Sequence, residues 1–283
     1  MEIIVNENDP SEANFIITVD SENLLRGWSI KKEVTNFSYK IPMKKRVTAA
    51  AVDSLCQYIA VGNTIGECKV LNFQSGGVLY NLPHSDKEIT CLKFLSGMSE
   101  FWLVAGCWSG KLVLWTEPNE DNNFQVLAKG RIGHRGDVLA LDCSDTYIVS
   151  GGVDGLLSVW NQFSGVLKFA VRLPDPESEV FFLARADGSE VKDVEEETRG
   201  KRPGNQIRKT IVGLMFHPGF AQIVCVLQEG GNVHMVDISN GMVVNEFVAH
   251  VKVNSSWACD ALNNKVLVVG DLGKAALFDI SMG

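Results

Sequence analysis

The chain reads Gly133-His-Arg-Gly-Asp, then Val138-Leu-Ala-Leu-Asp-Cys-Ser144, Tyr147-Ile-Val-Ser-Gly-Gly-Val-Asp154, Gly155, Leu156-Leu-Ser-Val-Trp160, Asn-Gln-Phe-Ser-Gly165 and Val166-Leu-Lys-Phe-Ala-Val171. Four short apolar runs are separated by Gly, Asp and Ser. That is the pattern of β-strands joined by tight turns.

The same unit recurs along the chain. Aligning segments on the turn glycine and on the residue five places later picks out Trp28, Leu71, Trp115, Trp160, Val236 and Phe278, at steps of 43, 44, 45, 76 and 42 residues. Gly66, Gly110, Gly155, Gly231 and Gly273 hold the turn in five units, and Asn23 holds it in the sixth. Both residue types tolerate left-handed backbone. A period of about 40 to 45 residues with four strands per unit is a propeller-blade signature, in which each small sheet buries its faces against its neighbours.

Gly133-His134, the turn Asp154-Gly155 and Trp160 match the Gly-His and Trp-Asp landmarks of WD-repeat propellers, with Asn161 in place of the Asp. Val236-Asp237 and Phe278-Asp279 keep the Asp and lose the Trp. The chain therefore resembles the WD-repeat β-propeller family along nearly its whole length. The fold expected is all-β, one propeller over residues 1–283, with about six four-stranded blades near 2–40, 47–82, 89–129, 138–173, 211–248 and 253–281. The sixth lacks its last strand, so the expectation is an incompletely closed ring or part of a larger, tandem propeller. The long step leaves an insertion at 174–210, read as a hairpin about Asp187-Gly188 followed by a charged flexible arm. A degenerate extra blade is the competing reading, and four strands do not fit in the excess.

Composition limits the chemistry. With 283 residues, 46% hydrophobic and 21% charged, the chain has ample material for a core. A net charge of -8 gives no global positive field for nucleic acid or anionic lipid. No apolar run approaches the roughly 18 residues that cross a bilayer, and the N-terminus lacks the pattern of a secretion signal. Seven scattered cysteines, mostly inside apolar runs and never in Cys-x-x-Cys spacing, are expected to be free core thiols in a reducing, cytoplasmic setting. The five histidines are not at ligand spacing, so no metal is expected. No phosphate-binding loop, nucleophile elbow or Phe-Arg-Arg-Gly motif of lipid-binding propellers occurs. No cofactor and no enzymatic activity are expected.

His134, Ser150, Asp154 and Trp160 contain the residue types of a catalytic triad, but triads are defined by geometry. The resemblance implies a structural hydrogen-bonded tetrad instead, complete only in the fourth blade. For partners, it points to the face bearing the turns between second and third strands. Trp108 in Cys107-Trp-Ser-Gly110 is the expected anchor, ringed by Lys87, Arg135, Asp137, Glu229 and Asp271. Lys44-Lys-Arg46 reads as a solvated loop, with a phosphate or lipid contact as its alternative. The function expected is a protein–protein interaction scaffold in a multiprotein assembly. The degenerate repeats resemble the tandem-propeller proteins of ciliary axonemes, which implies a cilium or cytoskeletal setting. A phosphoinositide- or lipid-binding module is the alternative.

Overall fold

The computed structural model describes residues 2–5, 14–29, 34–95, 103–115, 124–126, 133–173, 181–184, 209–217, 219–248, 265–269 and 275–279. All regular structure among them is β-strand, and each strand pairs antiparallel with its neighbour in sequence. The first sheet holds β1 (Glu2–Val5), β2 (Asn14–Val19), β3 (Leu24–Ser29) and β4 (Val34–Lys40). The second holds β5 (Val47–Val52), β6 (Tyr58–Asn63), β7 (Cys68–Asn72) and β8 (Val78–Leu82). The third holds β9 (Ile89–Phe94), β10 (Leu103–Cys107), β11 (Leu112–Trp115) and β12 (Phe124–Val126).

The fourth sheet has β13 (Val138–Cys143), β14 (Tyr147–Gly152), β15 (Leu156–Asn161), β16 (Leu167–Arg172) and a fifth strand, β17 (Phe181–Ala184). β17 comes from the insertion and pairs with β16 from Ala170↔Ala184 to Arg172↔Phe181. The fifth sheet has β18 (Ile211–His217), β19 (Phe220–Gln228), β20 (Asn232–Asp237) and β21 (Met242–Val248). β22 (Lys265–Val269) and β23 (Ala275–Asp279) form a two-stranded sheet. The expected first strand of the sixth blade, Gly273 and the charged arm lie outside the described residues.

Two compact units divide the chain, Met1–Val126 and Leu127–Gly283. In the first, Leu25, Ile41, Ile59 and Leu71 fill the layer between sheets one and two, and Val70, Ile89, Leu103 and Ala105 the layer between two and three. In the second, Val149, Val159, Ile211 and Val224 lie between sheets four and five. Val233, Met235 and Val268 continue the core to the two-stranded sheet, where the Phe247 and Phe278 ring centroids are 4.4 Å apart.

Burial is greatest in the middle strands of the sheets. The central strands β10 and β15 are buried on both faces, so they read as continuous apolar runs. The fourth strands β8 and β21 are largely exposed.

Polar contacts fasten neighbouring sheets within each unit. The Tyr39 hydroxyl donates to the Phe73 carbonyl at 3.0 Å, and burial pushes that phenol up to about 12. Two residues beyond the aligned position of the fifth sheet, the Ile238 carbonyl accepts from Lys168 Nζ at 3.1 Å. That ammonium also sits 4.6 Å from the Tyr147 ring centre.

Turns and bulges repeat with the sheets. Asn23, Gly66, Gly110, Gly155 and Gly231 all have φ between 63° and 93°. Each donates its N–H to the carbonyl three residues earlier, at 3.0 to 3.2 Å. Between third and fourth strands the register shifts at Gly27/Trp28, Val70/Leu71, Val159/Trp160 and Met235/Val236. The aligned residue therefore sits at a bulge in four sheets, where local twist rises.

Glycine also sets how closely sheets approach. A Cβ on Gly62 would lie 2.6 Å from Ile89 Cγ2, and one on Gly151 would lie 2.4 Å from Ile211 Cγ2. Both isoleucines are fully buried, so neither can swing clear. Gly151→Ala is expected to destabilise the protein by about 1–3 kcal/mol through overpacking. Urea denaturation checks this, and an unchanged midpoint refutes it.

Candidate interaction surface

The fourth sheet brings His134, Ser150, Asp154 and Trp160 together. His134 Nδ1 lies 3.0 Å from Asp154 Oδ1, and its Nε2 is 2.8 Å from Ser150 Oγ. Trp160 Nε1 donates to the same hydroxyl at 3.0 Å. Asp154 also accepts from the backbone N–H groups of Arg135 at 2.8 Å and Leu156 at 3.2 Å. Burial alone would raise this carboxyl. The hydrogen bond and charge of His134 and the two backbone donors outweigh it and hold Asp154 below its ordinary value.

Chemically, this arrangement is a clamp. Ser150 is fully buried with its hydroxyl held between His134 and Trp160, so no substrate carbonyl reaches its oxygen. The bonds tie the segment before β13 and the turn after β14 to strand β15.

Counterpart positions show why the clamp is not repeated. In the first sheet Trp28 Nε1 donates to Thr18 Oγ1 at 2.9 Å, which preserves the Trp–hydroxyl half. In the third, Ala105 stands where Ser150 does, and Trp115 Nε1 has no hydrogen-bond partner among the described residues. In the second and fifth sheets the paired positions are apolar, Val61 with Leu71 and Val226 with Val236, all fully buried.

The turns between second and third strands carry the exposed candidates. Trp108 follows β10 and is 57% exposed, while its backbone N–H donates to the Glu88 carbonyl at 2.9 Å. Next to it Ser109 Oγ donates to Asp86 Oδ1 at 3.2 Å, and Lys111 pairs with the same carboxylate. The hydrogen bond from Lys111 chiefly holds Asp86 below its ordinary range. Lys87 is exposed beside them, ahead of β9. Trp108 and Lys87 thus share one edge of the third sheet.

In the second unit Arg135 is exposed and Asp137 half-buried, with the Asp137 carbonyl accepting from Val153 N–H at 3.0 Å. Glu229 is exposed in the turn after β19, and its N–H donates to Thr210 O at 2.7 Å. Asp271 lies outside the described residues. Sequence reasoning missed Ile65, 46% exposed in the turn after β6. Its signal was an apolar residue directly before a turn glycine. Among the described residues no three His, Cys, Asp or Glu side chains converge as metal ligands.

Residues 126–161 match the family model of the WD domain, G-beta repeat, which spans β13 to β15 and the clamp. A chain in the crystal structure of a mitotic checkpoint complex matches with a TM-score of 0.68 at 15% identity, over 95% of this chain and 71% of that one. At that identity the likeness concerns the fold.

Two outcomes follow from the clamp geometry. Ala105→Ser offers Trp115 Nε1 an acceptor and is expected to raise stability by about 0.5–1.5 kcal/mol in urea denaturation; a lower midpoint refutes the assigned contact. Because the folded-state value of Asp154 is depressed, its contribution is complete above the ordinary carboxyl value of 3.8 and is lost as pH falls through the lower folded value. Asp154→Asn is therefore expected to be less stable at neutral pH and to show a flatter loss of stability below that value, measured by denaturant titration across pH.

Proposed function

We propose that this chain, a WD-repeat β-propeller protein, is a non-catalytic scaffold that holds other proteins at the sheet edges bearing the turns between second and third strands. Trp108 carries the reading. A large aromatic side chain stands mostly in solvent on a turn whose backbone is fixed to Glu88 and whose neighbours are held by Asp86. A preorganised aromatic loses little conformational entropy on binding and supplies a large contact area. The likeness to a chain crystallised within a protein complex supports the same class of role.

Sealing of the Ser150–His134–Asp154 group supports the non-catalytic part. Free thiols scattered through the strands, with Cys68, Cys107 and Cys225 buried, support a reducing, cytoplasmic setting. Service in a ciliary axoneme or another cytoskeletal assembly is the finer form of this proposal, and it rests on the resemblance of the degenerate repeats. The exposed run Lys44, Lys45 and Arg46 favours a second reading, an anionic-lipid or phosphoinositide contact. Liposome flotation separates the two.

The test is affinity capture and mass spectrometry from the native source, with wild type beside Trp108→Ala and a deletion of 187–209. Defined partners lost from either folded variant support the scaffold and locate its contact. Recovery of the same partners by all three overturns the assignment to these positions.

A further inference from the structure

We infer that one edge of the first unit binds an acidic peptide segment of a partner protein, with Ile65 and Trp108 as its apolar seats. This rests on the scaffold reading and specifies the chemistry of the partner.

Backbone hydrogen bonds join four loops into one strip. Thr64 N–H donates to the Arg46 carbonyl at 3.4 Å, Ser85 N–H to Gly66 O at 2.9 Å and Trp108 N–H to Glu88 O at 2.9 Å. The loop of Lys44 to Arg46 is thereby linked to the turn of Ile65, that turn to the segment of Lys87, and that segment to the turn of Trp108. The loop itself is pinned by Asn23, whose Nδ2 donates to Lys45 O at 2.8 Å and whose Oδ1 accepts from Val47 N–H at 2.8 Å. Close contact reinforces the middle junction, where a Cβ on Gly66 would fall 2.4 Å from the Ser85 carbonyl oxygen.

The charge of this strip runs against that of the molecule. Three of its carboxylates are occupied by cations of the same turns: Asp20 by Arg26 at 3.1 Å, Glu67 by Lys69 at 3.9 Å, and Asp86 by Lys111. Lys44, Lys45, Arg46 and Lys87 have no ion pair among the described residues, against only Glu22 and Glu88. A chain of net charge -8 therefore presents an excess of free cations beside the exposed turn residues Ile65 and Trp108.

An extended acidic segment with spaced apolar residues fits this combination. Its carboxylates face the free cations and steer the encounter, while burial of Ile65 and Trp108 supplies the affinity. A membrane fits less well. Charge is screened beyond about 8 Å at physiological salt, so a peptide confined to the strip feels its local cations, whereas a bilayer also meets more of a chain whose net charge is -8.

Selection of random peptides of about twelve residues on the full chain tests the inference, with Ile65→Ser, Trp108→Ala and the triple variant Lys44→Glu/Lys45→Glu/Arg46→Glu in parallel and each checked for folding by circular dichroism. Enriched peptides are expected to be net negative with at least two apolar residues. A synthetic selected peptide is expected to bind about tenfold more weakly to the triple variant, to Trp108→Ala, and to wild type when salt rises from about 50 to about 300 mM. Neutral or basic enriched peptides that still need Trp108 overturn the acidic class while leaving the scaffold reading standing. Peptides indifferent to all three variants overturn both the strip and the edge assignment. Absence of enrichment overturns the inference, and phosphatidylserine vesicles that bind wild type but not the triple variant then assign the cations to lipid.

Discussion

Packing of one small sheet against the next is the constraint from which the rest of the structure follows. A four-stranded sheet with strands of about five residues cannot bury both of its faces alone. Stacked neighbours can, which is why the central strands are apolar on both sides and why Gly62 and Gly151 sit opposite fully buried isoleucines. The hydrogen bonds that cross between sheets, from Tyr39 and Lys168 to carbonyls, end at corresponding positions although one donor is a phenol and the other an ammonium. That position selects for a donor of sufficient reach, and its chemical type is secondary.

The fate of the clamp illustrates how polar groups survive in such interfaces. Complete pairing, as around Ser150, and complete replacement by apolar side chains, as at Val61 with Leu71, both leave no buried polar atom stranded. Losing one partner alone costs the desolvation of the other. The third sheet is in that state, with Trp115 buried opposite Leu103 and Ala105 two positions further along the same strand. Repeats of this kind therefore degenerate most readily by changing paired positions together.

Much of the fold was legible because its cause is local. Spacing of turn residues with left-handed tolerance located five turns that share one φ range and one hydrogen bond, and even Asn23 at the glycine position was readable. The members of the tetrad were readable through the family resemblance, because their residue types alone suit a catalytic triad equally well. The bulges at the aligned residue were not, because a register shift depends on the strand opposite. The partnership of Trp28 with Thr18 was missed because a Thr in a strand is ordinarily unremarked. Exposure of Trp108 was undecidable from sequence, since a turn aromatic can fold either outward or onto its own sheet. Ile65 was missed, and its link to the basic loop depends on backbone contacts that no sequence pattern marks.

The fifth strand of the fourth sheet has a consequence of a different kind. The free edge of a sheet is a template to which any extended chain can add, including another copy of the same protein. β17 occupies that template on β16 with the chain's own insertion. β8 and β21 carry Val78, Leu79, Met242, Val244 and Val248 in solvent and close their sheets. The insertion thus moves the margin of the fourth sheet outward from β16 to β17, whose four residues offer a shorter template than the five of β8 or the seven of β21.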